Sequence, residues 1–276
     1  MAYKYFSRNG KLLPASEAVV PLDNIAYAYG FGVYETIRVL KNKALFLEEH
    51  CRRLMASARI IGLDHTFSKA IVEKSAKELI AGNDAVNCNL KVLLIGSKSR
   101  DDAVLNILCL NPLFPDRKLY SQGVHTITKN IERLFPHAKT LNMLPSYLAY
   151  RDAKAAGAHD ALLVNRRGCI IEGTSTNFFA LKNRTIFSPP ESDILLGVTR
   201  QNVLKVAGDN GFSVKEREIK PQDVGQYDNL FLTGTSIKIL PIRSIDETVL
   251  ESPGSDLREL MRLFDGFLAG LESSVS

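Results

Sequence analysis

The chain is poor in the features that mark several large protein classes. Its four cysteines, Cys51, Cys88, Cys109 and Cys169, are scattered with no C-x-x-C spacing. That pattern argues against a disulfide framework and for reduced thiols. The five histidines, His50, His65, His125, His137 and His159, do not cluster with the cysteines, so no zinc site is expected. The N-terminal MAYKYFSRNGK is polar and has no secretory apolar core. No apolar run approaches the roughly 20 residues that span a bilayer. A cytoplasmic protein without membrane contact is the expectation. The net charge of +5 is not gathered into a long basic run, and no basic stripe interleaves with aromatics. Nucleic acid is therefore not an expected partner, whereas anionic small molecules or a phosphate cofactor fit. No G-x-G-x-x-G follows a strand and opens a helix. YGFGVYE, residues 29–35, lacks the helix that motif needs, which disfavours a dinucleotide oxidoreductase.

What is present reads as an α/β protein. The 276 residues suffice for one large domain or two modest ones, and 45% hydrophobic with 24% charged residues is ordinary for a globular chain. YKYFSRNGKLLPA predicts a hairpin turning at Asn9-Gly10. Alternation from Val33 predicts a strand with Val33, Glu35 and Ile37 on one face and Tyr34, Thr36 and Arg38 on the other. LEEHCRRLMASARIIG has helical spacing of Leu47, Cys51, Leu54, Ala58 and Ile61, closed by Gly62. A second helix is predicted over 67–81, then strands over 90–95 and 104–110 around the polar turn GSKSRDD. Residues 113–123, LFPDRKLYSQG, contain proline and charge and read as a linker. The expected organisation is a smaller N-terminal domain over 1–112, that linker, and a larger domain over 124–276. In the second part, helices are predicted at 145–157, 199–211 and 255–271. Strands are predicted at 124–129, 160–164, 178–181, 212–217, 229–233 and 238–242. The final SSVS is expected to be disordered.

The chemistry concentrates between Lys139 and Leu181. A lysine precedes a helix-like run, the strand Asp160 to Val164 follows, and Glu172-Gly173-Thr174-Ser175-Thr176-Asn177 leads into the strand Phe178 to Leu181. Lys139 alone reads as a solvated lysine, and Glu172 as an acid beside a turn glycine. Together they match a chemical need. A lysine that binds an aldehyde cofactor works through an amine able to lose its proton. A pyridine-ring cofactor needs an acid against its ring nitrogen to accept electrons from a substrate carbanion.

Lys139-Thr-Leu-Asn, Asp160-Ala-Leu-Leu and Glu172-Gly-Thr-Ser-Thr-Asn177, in that order, resemble the class IV aminotransferases. These are pyridoxal-phosphate enzymes of fold type IV. The group includes branched-chain and D-amino-acid aminotransferases, (R)-amine transaminases and aminodeoxychorismate lyases. The resemblance runs from about Tyr5 to Ile245. It implies two α/β domains with the cofactor between them, a homodimer at least, and an amino acid and a 2-oxo acid as substrates. It makes Lys139 the catalytic lysine and Glu172 the partner of the ring nitrogen. His50-Cys-Arg-Arg-Leu54 matches the family's H-x-x-R-L, which assigns Arg53 to the cofactor phosphate; an arginine fork suits two phosphate oxygens. Gly197-Val198-Thr199-Arg200 precedes a helix, and the family places the phosphate at Val198 and Thr199. A helix N-terminus favours an anion, although Thr199 also reads as a simple N-cap. Thr235 and Ser236, in the turn after the strand NLFL, complete the phosphate set.

Tyr34, Thr36 and Arg38 fall on the strand face that lines the family's substrate pocket, with Lys91 and Arg100 beside it. Arg100 resembles the carboxylate-binding arginine of the D-amino-acid enzymes and the lyases. The histidine that follows it in the D-amino-acid enzymes is missing here, and Asp102 is nearest. Leu141-Asn142-Met143-Leu144 replaces the G-G-N-Y of the branched-chain enzymes, so the lysine segment looks more like the D-amino-acid or lyase branch. Lys238 stands where many members carry glutamate. The implied activity is transamination with a D-amino acid, such as D-alanine or D-glutamate, or an L-branched-chain amino acid. The alternatives are pyruvate elimination by an aminodeoxychorismate lyase and a pyridoxal-phosphate-binding protein without catalysis.

Overall fold

The computed structural model describes residues 3–250 and 253–273, and it divides into two units. The first unit comprises residues up to Leu113 together with His137–Met143; the second comprises Phe114–Pro136 and the chain from Leu144 onward. Of the C-terminal SSVS, residues 274–276 lie outside the described residues. No helix among the described residues is long and apolar enough to cross a membrane.

In the first unit, β1 (Tyr5–Arg8) and β2 (Lys11–Pro14) form the predicted hairpin. Asn9 and Gly10 both take positive φ, 51° and 80°, as a two-residue turn between right-twisted strands requires. A short helix, α1 (Ile25–Tyr29), is capped by Asn24, whose side chain accepts from the Ala26 amide. The strands β3 (Gly32–Leu40) and β4 (Lys43–Ala44) follow. The helices α2 (Leu47–Ile60) and α3 (Lys69–Gly82) precede β5 (Asn87–Ile95) and β6 (Val104–Leu110). The sheet order is β2-β1-β6-β5-β3-β4, antiparallel throughout.

Alternation decides what each face does. Val33, Ile37 and Val39 of β3, with Leu90, Val92 and Leu94 of β5, pack against Leu54 and Ala58 of α2 and Val72, Ala76 and Leu79 of α3. Tyr34, Thr36 and Arg38 therefore stand on the opposite face. Lys91 joins that face, because it pairs with Thr36 across the β3–β5 ladder.

The second unit begins with α4 (Arg117–Gln122), so the segment read as a linker contains a helix. Asp116 caps it by accepting from the Lys118 amide. Then come β7 (Val124–Asn130), α5 (Leu144–Ala155), β8 (Asp160–Val164), β9 (Ile170–Gly173), β10 (Asn177–Lys182) and β11 (Thr185–Ser188). The rest is α6 (Val198–Asp209), β12 (Ser213–Glu216), β13 (Asn229–Gly234), β14 (Lys238–Ile245), β15 (Thr248–Val249) and α7 (Ser255–Ser273). Strands β7 and β8 are parallel, with α5 between them in sequence. The pairing path β10-β13-β14-β7-β8-β9 returns to β10, closing six strands on themselves. Closure removes edges. Strand β8 is buried along its whole length because Leu162 and Val164 join the apolar cluster of the sheet, while Ala161 and Leu163 pack with Ala149 and Ala153 of α5. Glu172 and Gly173, read as part of a turn, are instead the last residues of β9, and β11 had no clear sequence signal.

Candidate active site

In the first unit the strand-like slot beside β3 is filled by the segment that carries Lys139. The Tyr34 amide donates to the Lys139 carbonyl at 2.9 Å, and the Leu141 amide donates to the Gly32 carbonyl at 2.9 Å. Thr140 bridges Val33, and the Lys139 amide donates to Ser57 Oγ of α2 at 3.0 Å. The lysine backbone is thus held by a strand on one side and a helix on the other. Its Nζ lies 4.5 Å from the centre of the Tyr34 ring, and Lys91 Nζ lies 3.5 Å from the same centre. Burial pushes the Lys91 amine below its ordinary value, and the Lys139 charge adds to this against the pull of Tyr34 and Glu35. The Tyr34 hydroxyl donates to Met143 Sδ at 3.4 Å. Tyr34, Lys91 and Lys139 therefore form one cluster. Thr36 and Arg38 continue the same strand face, next to Lys91 and Asn89 respectively. Arg100 is exposed in a short 3-10 turn after β5, where its charge acts on His65.

Arg53 lies behind this face. Its Nε and Nη2 donate to the two carboxylate oxygens of Glu35, both at 2.7 Å. His50 Nδ1 meets Glu35 Oε2 at 2.7 Å. Burial pushes the Glu35 carboxyl up, but the Arg53 charge and the hydrogen bonds of Arg53 and His50 outweigh it and bring it down to about 2. Burial pushes His50 below its ordinary value, further lowered by the Arg53 and Lys139 charges and opposed by Glu35. His50 is then a neutral ring whose Nδ1–H donates to the carboxylate.

In the second unit, Glu172, Asn177 and Thr233 stand side by side across β9, β10 and β13. Glu172 is buried; its Oε1 meets Arg133 Nε and its Oε2 accepts from the Leu195 amide at 3.3 Å. Asn177 Nδ2 donates to the Leu195 carbonyl at 2.7 Å. The 173–176 turn is braced by Asp160, which accepts from the Thr174 and Thr176 hydroxyls at 2.5 and 3.1 Å. The barrel end thus gathers Glu172, the segment leading into α6, and the 234–236 turn that holds Thr235 and Ser236. Helix α6 starts at Val198 with Gly197 as its N-cap and no side-chain cap. Thr199 is therefore inside the first turn, which removes its reading as the N-cap. Gly197 is required by space: a Cβ there would lie 2.1 Å from Asn177 Oδ1. Lys238 turns to α7, where it pairs with Asp265 at 2.7 Å.

Three residues of these clusters were not singled out from the sequence. Glu35 had a usable signal, a carboxylate on the face otherwise reserved for Val33 and Ile37. His50 was visible only as part of the H-x-x-R-L spacing. Arg133, which pairs with Glu172, stands in KNIERLFPH with no local pattern to mark it.

A family model described as amino-transferase class IV matches residues 32–245. The chain is a class IV aminotransferase. It is 32% identical to a D-alanine aminotransferase of Bacillus licheniformis over 88% of this chain and 89% of the relative. It is 31% identical to a putative branched-chain-amino-acid aminotransferase of Methanocaldococcus jannaschii over 88% of each. Among solved structures, the branched-chain aminotransferase of Thermoproteus uzoniensis with norvaline superimposes with a TM-score of 0.88 at 28% identity, covering 98% of this chain and 96% of that one. A T.th. branched-chain amino acid aminotransferase with pyridoxamine 5'-phosphate gives a TM-score of 0.90 at 26% identity, covering 97% and 95%. As a class IV aminotransferase this chain has the mixed α/β architecture of fold type IV and transfers amino groups between amino acids and 2-oxo acids with pyridoxal phosphate. The side chains suit that cofactor: an amine fixed at its backbone, a buried carboxylate held by an arginine, and a helix start without a side-chain cap.

Proposed function

We propose that this aminotransferase takes its amino group from a D-amino acid and passes it to a 2-oxo acid. The observation that carries the reading is Lys91. Its ammonium rests on the Tyr34 ring beside Lys139, and no carboxylate among the described residues pairs with it. A desolvated cation of this kind has most to gain from an incoming carboxylate. Lys91, Arg38 and Arg100 are assigned to substrate carboxylates, and Tyr34 and Thr36 to the wall against which the substrate lies. The Leu141-Asn142-Met143 run after the lysine, in place of a tyrosine-bearing one, also favours the D-amino-acid or lyase branch over the branched-chain one.

Bound pyridoxal phosphate supplies an electron sink that lets the substrate Cα–H bond break. Lys139 would hold the cofactor through its amine, and the same amine would take up the proton at the substrate Cα and later return a proton to the product. Glu172 keeps the ring nitrogen protonated, and Arg133 compensates that buried carboxylate. Arg53, the Val198 and Thr199 amides, the Thr199 hydroxyl, Thr235 and Ser236 hold the phosphate. The protein works as a homodimer. Val19, Val20, Leu22, Ile25 and Tyr29 of the first unit are exposed, a concentration of apolar surface that suits an interface. Four free, buried cysteines agree with a reducing cytoplasm.

The test is the cofactor absorbance of the purified protein during separate additions of D-alanine and L-leucine. Bleaching with D-alanine alone is expected. Bleaching with L-leucine alone would replace this reading by a branched-chain one, which the fold likeness to the norvaline-bound archaeal enzyme favours.

A further inference from the structure

Glu35 and His50 have no role in the assignments above, yet they form the most heavily buried charged cluster of the first unit. Each is 1% exposed. Glu35 stands between Val33 and Ile37 on the face that packs against α2 and α3, where an uncompensated carboxylate would be costly. It is compensated from one helix face. His50 and Arg53 are three residues apart on α2, so both side chains reach the same point of β3. All three contacts, Arg53 Nε to Oε1, Arg53 Nη2 to Oε2 and His50 Nδ1 to Oε2, are 2.7 Å long.

Stability alone is a weak reason for such a cluster, since apolar residues of similar volume often serve a core as well or better. Geometry is a stronger one. A bidentate contact fixes both the plane and the rotation of a guanidinium. The edge formed by Nη1 and the second Nη2 hydrogen then points away from Glu35 in a set direction. A donor edge held this way meets an anion without a further loss of side-chain freedom.

We propose that Glu35 and His50 are positioning residues that lock the Arg53 guanidinium for the cofactor phosphate. This role presupposes the phosphate contact of Arg53 proposed above. Charge counting gives the opposite expectation. Glu35 cancels the Arg53 charge, so removing its charge would strengthen phosphate binding if attraction alone mattered. Orientation requires that the same change weaken it.

The experiment compares pyridoxal phosphate with pyridoxal, which lacks the phosphate, by calorimetric titration of the full-length apoprotein. Wild type is expected to prefer pyridoxal phosphate strongly. Glu35→Gln should lose at least tenfold in affinity for pyridoxal phosphate while its affinity for pyridoxal stays unchanged. His50→Gln, which keeps an N–H donor, should lose less in the same direction. In an Arg53→Lys background, adding Glu35→Gln should change the ratio of the two affinities by less than about twofold, as residues acting through one contact do. An unchanged or tighter affinity of Glu35→Gln for pyridoxal phosphate overturns the role. So does an equal fall for both ligands, which marks general damage. If Glu35→Gln does not fold, His50→Gln decides: an unchanged ratio overturns the role. A wild-type protein without preference for the phosphate removes the assignment of Arg53 itself, and positioning with it. A wild-type preference that survives Glu35→Gln removes positioning alone.

Discussion

Arg53 grips both carboxylate oxygens of Glu35 at 2.7 Å, on the face of β3 that otherwise carries Val33, Ile37 and Val39 into an aliphatic core. An ion pair in that place is a strong constraint on the unit, and it can be read out through pH.

The carboxyl of Glu35 falls from an ordinary 4.5 to about 2 in the folded state. A depressed carboxylate contributes its stability fully above the unfolded value and loses it as pH falls through the folded one. The contribution, about 3 kcal/mol, should therefore be complete above about pH 4.5 and fade as the pH approaches 2. Urea denaturation of wild type and Glu35→Gln at a series of pH values should show the two curves converging in acid. Parallel curves would refute the ion-pair account.

Lys139→Ala should abolish covalent retention of the cofactor. Borohydride reduction followed by peptide mass spectrometry should find the cofactor mass on the Lys139 peptide of wild type and on no peptide of the variant. Transamination should fall by at least about 10²–10⁴-fold, the usual contribution of a positioned proton-transfer group. Retention of the mass at another lysine, Lys91 above all, would move the assignment.

Lys91→Gln removes the cation from the Tyr34 ring without emptying much volume. A charge-assisted contact with a substrate carboxylate is worth about 1.5–3 kcal/mol, so kcat/KM should fall by about tenfold or more. Cofactor binding should be unaffected. Steady-state kinetics with the amino donor would show it, and a normal kcat/KM would take Lys91 out of the substrate site.

Gly197→Ala forces a Cβ to within 2.1 Å of Asn177 Oδ1 unless the chain shifts. The start of α6 or the Asn177 side chain must move, at a cost of about 1–3 kcal/mol. The melting temperature should drop by several degrees, with weaker binding of pyridoxal phosphate if the α6 amides hold its phosphate. Unchanged melting would mean that the turn yields more easily than its packing suggests.

Much of this architecture was legible in the chain. The Asn9-Gly10 turn, the alternation from Val33, and the helical spacing from Leu47 to Ile61 are local signals, and local forces dominate those elements. The lysine, the acid and Arg53 were singled out through a resemblance to family motifs, because no local pattern of charge or hydropathy marks them. Other features come from pairing between segments distant in sequence. The closure of β9 on β10 places Glu172 on a strand end, and no property of Ile170-Ile-Glu-Gly173 announces that. The pairing of Arg133 with Glu172 spans a helix and a strand. Thr199 looked like a cap because its hydroxyl is of the right type, but Gly197 takes that position since only a residue without Cβ fits beside Asn177.

The segment His137–Met143 belongs to the first unit although its sequence neighbours on both sides belong to the second. During synthesis, residues 1–113 leave the ribosome before this segment exists. The Tyr34 amide and the Gly32 carbonyl then face an open sheet edge, and Ser57 lacks the Lys139 amide it accepts from in the finished protein. The unit closes only when the chain has grown past residue 143. A nascent chain stalled short of that point presents a ready strand edge to its neighbours, and chaperone demand should peak there. The same delay means that the reactive amine reaches its final place late, after the unit it completes is largely built.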